Sequence, residues 1–198
     1  MLKQLLPATL MMIVMTVLTG LAYPLAITGL AQVIFPDQAN GSLVRVDGKV
    51  IGSALIGQQF SAPRYFHGRP SATTPPYNAG ASAASNLGPT SKVLAARVVA
   101  DAARLHAENP AMPVPVDLVT TSASGLDPDV TSAAALFQVP RVARARGLPE
   151  SAVRKLVLEH VSDRVLGVIG EPHVNVLELN LALDRLQPAA GGRAAAPA

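Results

Sequence analysis

The residues with the widest chemical repertoire in this chain are four histidines, two neighbouring aspartates and a run of arginines. His67, His106, His160 and His173 lie far apart, without a His-x-x-Glu-His spacing, and the 198 residues contain no cysteine. A structural or catalytic zinc needs three or four converging nitrogen or sulfur ligands. Each histidine is therefore expected to make hydrogen bonds in a loop or at the surface, and no metal is assigned. Asp127 and Asp129 fall in a turn, where carboxylates more often cap a helix than perform acid–base chemistry. Arg141, Arg144 and Arg146 concentrate charge on one helical stretch; a solvated face is the first reading and phosphate binding the second. Neither a phosphate loop nor a Gly-x-Gly-x-x-Gly turn nor a Gly-x-Ser-x-Gly elbow is present. No catalytic residue is assigned.

The element that must position everything else is the beginning of the chain. From Gln4 to Pro36 there is no charge, and the run is mostly Leu, Met, Ile, Val, Thr and Ala. About 20 apolar residues in a helix cross the hydrocarbon core of a bilayer. The run also exceeds the roughly 7–15 apolar residues of a cleaved signal, and Tyr23-Pro24 stands where a small-residue cleavage site would be needed. Residues 1–36 are thus read as a retained single-pass anchor contacting the lipid bilayer, with a kink at Pro24. Lys3 precedes the run and Asp37 follows it, which orients the N-terminus to the cytoplasm and the main domain to the outside.

Residues 37–187 are enough for one domain, and 188–198, rich in Ala, Gly and Pro, are read as a disordered tail. Beyond the anchor the charges nearly cancel, so the basic balance implies no nucleic-acid partner. With 4% aromatic residues the core must be built from Val, Leu and Ala. The fold class is α+β, a membrane helix followed by a small mixed α/β extracytoplasmic domain. Asp47-Gly48 between Ser42–Val46 and Val50–Ile56 predicts a hairpin. Gly57 to Pro89 is rich in Pro and Gly yet carries Phe60, Tyr65, Phe66 and Tyr77; it is read as an ordered loop whose backbone is paired by polar side chains. Helices are predicted over Lys92–His106 (capped by Thr90 or Ser91), from Ser132 to a stop at Gly147 with a kink near Pro140, from Pro149 to about Val165, and over Val174–Leu186. In the last, Val176, Leu179, Leu183 and Leu186 should share the inner face. Leu118–Ser122 is predicted to be a short strand.

Several long, ordered stretches resemble one family, the C subunit of the Kdp potassium-transporting P-type ATPase. They are Gly52-Ser53-Ala54-Leu55-Ile56-Gly57-Gln58, then Tyr65-Phe66-His67-Gly68-Arg69-Pro70-Ser71-Ala72, Tyr77-Asn78 and Ser85-Asn86-Leu87. Ser122-Ala123-Ser124-Gly125-Leu126-Asp127-Pro128, Gln138-Val139-Pro140-Arg141-Val142-Ala143 and Val174-Asn175-Val176 complete the set. Ala83-Ala84 departs from the family's usual Gly-Gly, and Asp129 from its usual His or Asn. The resemblance implies an accessory subunit in a bacterial inner membrane. Its partners would be a channel-like potassium-binding subunit and an ATP-hydrolysing P-type subunit. It implies no tightly bound cofactor, with ATP reached through the complex. Interface residues are expected in the two ordered loops: Tyr65, Phe66, Arg69, Pro70, Tyr77, Asn78, Asn86, Ser122, Ser124 and Asp127. Under a chaperone role that raises the pump's ATP affinity, Gln138 and Arg141 would meet the nucleotide. From a different class, a membrane-tethered extracytoplasmic binding protein or hydrolase acting alone is the alternative.

Overall fold

An uncharged apolar run can satisfy its own backbone only as a helix, and a helix is what it forms. The structure, a computed structural model, describes residues 2–186. Helix α1 (Leu5–Val17), a π-helical stretch (Leu18–Ala22) and α2 (Tyr23–Ile34) run on as one helix of 30 residues. At 1.5 Å per residue this is about 45 Å, more than the roughly 30 Å hydrocarbon core. None of its residues is buried. The π-helical stretch sits just before Pro24, which has no N–H to offer the carbonyl one turn back. There the Tyr23 N–H bonds to Leu18, five residues back, so the helix absorbs the proline by widening. A short helix α3 (Pro36–Ala39) follows. The chain divides into two compact units, with the boundary between Leu43 and Val44.

The second unit is mixed α/β. Strands β1 (Leu43–Val46) and β2 (Lys49–Ser53) form the expected hairpin, with Asp47 and Gly48 both at positive φ, 49° and 77°. Those angles match the right-handed twist of the paired strands. Strand β2 stops at Ser53, whose Oγ accepts the Leu55 N–H at 3.1 Å and turns the chain. After the long loop comes α4 (Lys92–Glu108), capped by the Ser91 hydroxyl and ending before Pro110.

The strand expected at Leu118–Ser122 does not form. Instead Val116–Leu118 is a 3-10 turn, and the Thr120 hydroxyl donates back to the Val116 carbonyl at 2.8 Å. Leu118 and Val119 are both buried, which an alternating strand would not allow. Strand β3 (Asp129–Thr131) leads directly into α5 (Ser132–Arg146), with Thr131 as the N-cap. Helix α5 continues through Pro140 and ends at Gly147, φ 66°, where the Leu148 N–H reaches the Ala143 carbonyl at 3.0 Å. This left-handed C-terminal cap is the one expected at that glycine.

Helix α6 (Glu150–Glu159) is shorter than the predicted run to Val165. Val161 is taken instead by strand β4 (Val161–Ser162), which pairs with β5 (His173–Asn175). The three-stranded sheet is antiparallel in order β3-β5-β4, with Val174 opposite both Val130 and Val161. Helix α7 (Val176–Leu186) starts after Asn175, whose Oδ1 accepts the Glu178 N–H at 3.2 Å. Val176, Leu179 and Leu183 are buried, but so are Leu177, Asn180 and Leu181, while Leu186 is exposed. A helix buried around most of its girth shows no single apolar stripe. The core gathers Phe66, Phe137, Val139, Val142, Val153, Val157, Val174, Leu179 and Leu183. The predicted tail, 188–198, lies outside the described residues.

Candidate functional site

The long loop after β2 is ordered by side chains from elsewhere in its unit. Without strand partners its buried peptide groups still need hydrogen bonds, and two amides supply them. Asn180 on α7 accepts the Phe66 N–H at 2.8 Å and donates to the Phe66 carbonyl at 2.9 Å. Gln138 on α5 does the same to His67, at 2.8 and 3.0 Å. Further along, the Ser71 and Thr73 hydroxyls accept from the backbone N–H groups of Tyr77 and Asn78 at 3.0 and 2.9 Å. The Ser71 hydroxyl also donates to the Gly125 carbonyl at 2.7 Å, bringing the Ser122–Pro128 loop alongside. The Ala83 N–H adds a bond to the Ser124 carbonyl at 3.0 Å.

Three arginines fasten the same region. Arg69 meets Asp127 at 2.9 Å, and Tyr77 donates its hydroxyl to the Arg69 carbonyl at 2.6 Å. Arg141 meets Glu108 at 2.7 Å and donates to the Pro63 and Tyr65 carbonyls and to Gln138. Arg146 meets Asp184 at 2.7 Å with its side chain only 2% exposed, and its guanidinium lies 4.9 Å from the Tyr65 ring centre. Tyr65 completes the group by donating to Asp184 at 3.1 Å. The solvated arginine face expected on α5 therefore does not exist as a unit. Arg144 is exposed, but Arg141 and Arg146 turn inward to carbonyls and carboxylates. Buried guanidinium groups need such partners, because an unpaired charge in the interior is strongly penalised.

A cleft of about 310 Å3 opens between this loop and α4, lined by His67, Arg69, Tyr77, Arg104, Gln138 and Arg141 among others. Each of its arginines faces a carboxylate: Asp127, Asp101 and Glu108 respectively for Arg69, Arg104 and Arg141. The paired charges suit a polar contact surface better than a polyphosphate site. Burial, with Arg141 alongside, lowers the His67 pKa. Burial and the Asp127 carboxylate push the Tyr77 hydroxyl up to about 12. Burial, then Asp184, raises the Tyr65 pKa, and burial pulls Arg141 below the usual arginine range against the pull of Glu108. Among the described residues no three His, Asp or Glu side chains cluster as metal ligands.

Neither turn aspartate caps a helix. Asp127 binds Arg69 and accepts the Asp129 N–H at 3.1 Å, while Asp129 accepts from the Asn175 amide at 3.1 Å. Burial raises the Asp129 pKa. Of the residues expected to line an interface, Phe66 is fully buried in its own unit, whereas Tyr65, Arg69, Pro70, Tyr77, Asn78, Ser122, Ser124 and Asp127 are half-buried. Asn86 is exposed. The sequence reading missed Asn180, Asp184 and Glu108, the partners that hold the loop and its arginines. A polar Asn180 inside the run Leu177 to Leu183 was the one available signal, since a polar residue on a buried face must find a partner.

The family model for the K+-transporting ATPase c chain, KdpC, matches residues 5–185. A relative from Bradyrhizobium diazoefficiens, named potassium-transporting ATPase KdpC subunit, is 60% identical over 197 residues, covering 93% of this chain and 98% of its own. Relatives of the same name from Rhodopseudomonas palustris and Methylobacterium nodulans are each 62% identical, over 196 and 198 residues, covering 93% and 94% of this chain and 98% of their own. With matches that run through the apolar helix and the folded unit alike, the chain belongs to the KdpC family, the c chain of the K+-transporting ATPase.

Proposed function

We propose that this chain is the accessory subunit of a potassium-transporting P-type ATPase, anchored once in a bacterial inner membrane. Its N-terminus is cytoplasmic and its folded unit extracytoplasmic, and it holds a channel-like potassium-binding subunit and an ATP-hydrolysing subunit together. The observation that carries this reading is the family match over residues 5–185, which takes in both the 30-residue apolar helix and the folded unit. The positive charge of Lys3 before the helix and Asp37 after it support the orientation. The loops Tyr65–Tyr77 and Ser122–Pro128 are proposed to stand near the contact with the partners.

Raising the pump's ATP affinity through Gln138 and Arg141 is the competing mechanism. Gln138 already uses both ends of its amide on His67, and Arg141 is paired to Glu108, which favours assembly over nucleotide handling. The test is to purify the ATPase from membranes with and without this chain. Assembly by this subunit predicts that the other subunits separate, and potassium-stimulated ATP hydrolysis is lost, when it is absent. A complex that forms normally without it, but needs more ATP for half-maximal rate, would establish the chaperone role instead. A reporter fused after Leu186 should be active outside the cytoplasm, and cytoplasmic activity would reverse the orientation.

A further inference from the structure

Helix α4 is fastened mainly at one end. Of its 17 residues only Leu105, in the last turn, is buried. Close by, Glu108 meets Arg141 at 2.7 Å, and Asn109, the residue after the helix, donates its amide to the Phe137 carbonyl at 2.8 Å. Towards the N-terminus the attachment thins. Val93 and Val99 are 67% and 69% exposed, and the buried Nε of Arg97 has no hydrogen-bond partner. The opposite wall of the cleft is held more firmly. The loop that carries His67 is clamped by Gln138, Asn180 and Arg141, and Arg69 ties it to Asp127. If the cleft opens, α4 is therefore the wall that yields.

His67 is the group in this cleft whose charge can change near neutral pH. Its Nε2 faces the Ala62 carbonyl at 3.1 Å. A carbonyl only accepts, so Nε2 carries the hydrogen and Nδ1 is where a second proton adds. Arg141 stands next to it: the guanidinium and the His67 N–H donate to one oxygen, Oε1 of Gln138, at 2.6 and 2.8 Å. Among the described residues, the other charges lining the cleft are Arg69 on the same loop and Asp101, Arg104 and Glu108 on α4, while Asp127 pairs with Arg69 from the neighbouring loop. The Tyr77 phenol, also in the lining, is neutral in this range. Three arginines against three carboxylates leave no net charge, so a proton on His67 is a surplus cation, half-buried beside a guanidinium. Glu108 attracts it but is already engaged by Arg141, and Arg104 opposes it. We propose that α4 is an acid-released flap: protonation of His67 lifts α4 from the cleft and lets water reach the ring. Burial, then Arg141, lowers the His67 pKa in the closed form, so the proton binds more tightly once the cleft is open. The closed form is favoured above the ordinary histidine pKa and loses that advantage as pH falls through the folded value. The link to external pH rests on the extracytoplasmic placement proposed above; the flap itself needs only the folded unit.

The test is hydrogen exchange of the full chain in detergent, read by mass spectrometry from about pH 8 to about pH 5 and corrected for intrinsic exchange rates. Exchange in Lys92–Glu108 should rise on acidification, by up to about tenfold per pH unit within the titration window. The loop 57–89 and α7 should keep their protection. His67→Gln and His67→Phe carry no charge at any pH and should hold α4 exchange flat. Gln138 clamps the main chain of His67 rather than its ring, so both variants should fold, as α7 protection at neutral pH will verify. Asp129→Asn, which removes the carboxyl whose pKa burial raises, should leave the native profile unchanged. The rise should level off where the His67 ring itself titrates by NMR in the native chain, a check that needs no variant. A flat native profile overturns the flap, as does a rise that survives in a folded His67 variant or levels off away from the ring's titration. A rise shared by 57–89 and α7 is acid unfolding of the whole unit and overturns it too. Each of these outcomes leaves the accessory-subunit reading standing, since that reading fails only in the purification described above.

Discussion

The side-chain amide of Asn180 closes a two-bond ring on the backbone of Phe66, 114 residues away, accepting at 2.8 Å and donating at 2.9 Å. Gln138 closes the same ring on the next residue, His67. Two helices thereby supply to an irregular segment the pairing that a neighbouring strand would give a sheet, and the Phe66 ring is held in the core by its own main chain.

Asn180→Ala leaves the N–H and carbonyl of Phe66 buried without partners. Each such group costs about 1–3 kcal/mol, so the variant should lose about 2–4 kcal/mol, read as a shift in the urea unfolding curve of the full chain in detergent. Phe66→Ala should lose about 3–5 kcal/mol in the same measurement, the range for emptying a core aromatic site. An unchanged curve for Phe66→Ala would mean that its ring stabilises a partner contact rather than this unit.

Gly125 has φ 68°, and a Cβ built there would stand 2.8 Å from both the Ala83 carbonyl oxygen and the Thr73 methyl carbon. Gly125→Ala therefore combines left-handed strain of about 1–2 kcal/mol with a clash against the neighbouring loop. Limited proteolysis should cut residues 57–89 faster than in the native chain. Equal rates would show that the two loops are held independently.

Asp129 ionises at higher pH in the folded chain than an ordinary aspartate, because burial disfavours its charged form. A carboxyl that binds its proton more tightly when folded contributes stability below its unfolded pKa. That contribution is lost as pH rises through the folded pKa. Asp129→Asn keeps an oxygen for the Asn175 amide and removes the charge. It should raise the melting temperature at neutral pH, with the gain vanishing as pH falls below the usual carboxylate range. A gain independent of pH would assign the effect to something other than ionisation.

Tyr77 is one of three tyrosines and ionises at about 12. Alkaline titration of phenolate absorbance should show a step near that pH, and Tyr77→Phe should delete it. Removing the hydroxyl also removes its bond to the Arg69 carbonyl, at about 1 kcal/mol. By the same linkage, stability contributed by the neutral phenol is present below the ordinary tyrosine pKa and lost as pH rises through about 12.

What the sequence by itself determined were the features governed by near neighbours. Lack of charge from Gln4 to Pro36 dictated one long helix, Asp47-Gly48 dictated a hairpin, and Ser91, Thr131 and Asn175 capped the helices that follow them. Those signals act over a few residues, so they are readable in order. Aromatic residues among the prolines of 57–89 also announced an ordered loop, though not what orders it. Only the tertiary structure decided that Asn180 meets Phe66, that Arg146 meets Asp184, and that Val161 leaves a helix to join a strand of three residues. Such pairings join groups far apart in the chain, and their energy exists only once the core has brought them together. For the same reason Leu118–Ser122 became a turn: its β-forming residues had no strand to meet, and burying Leu118 and Val119 side by side satisfied them better.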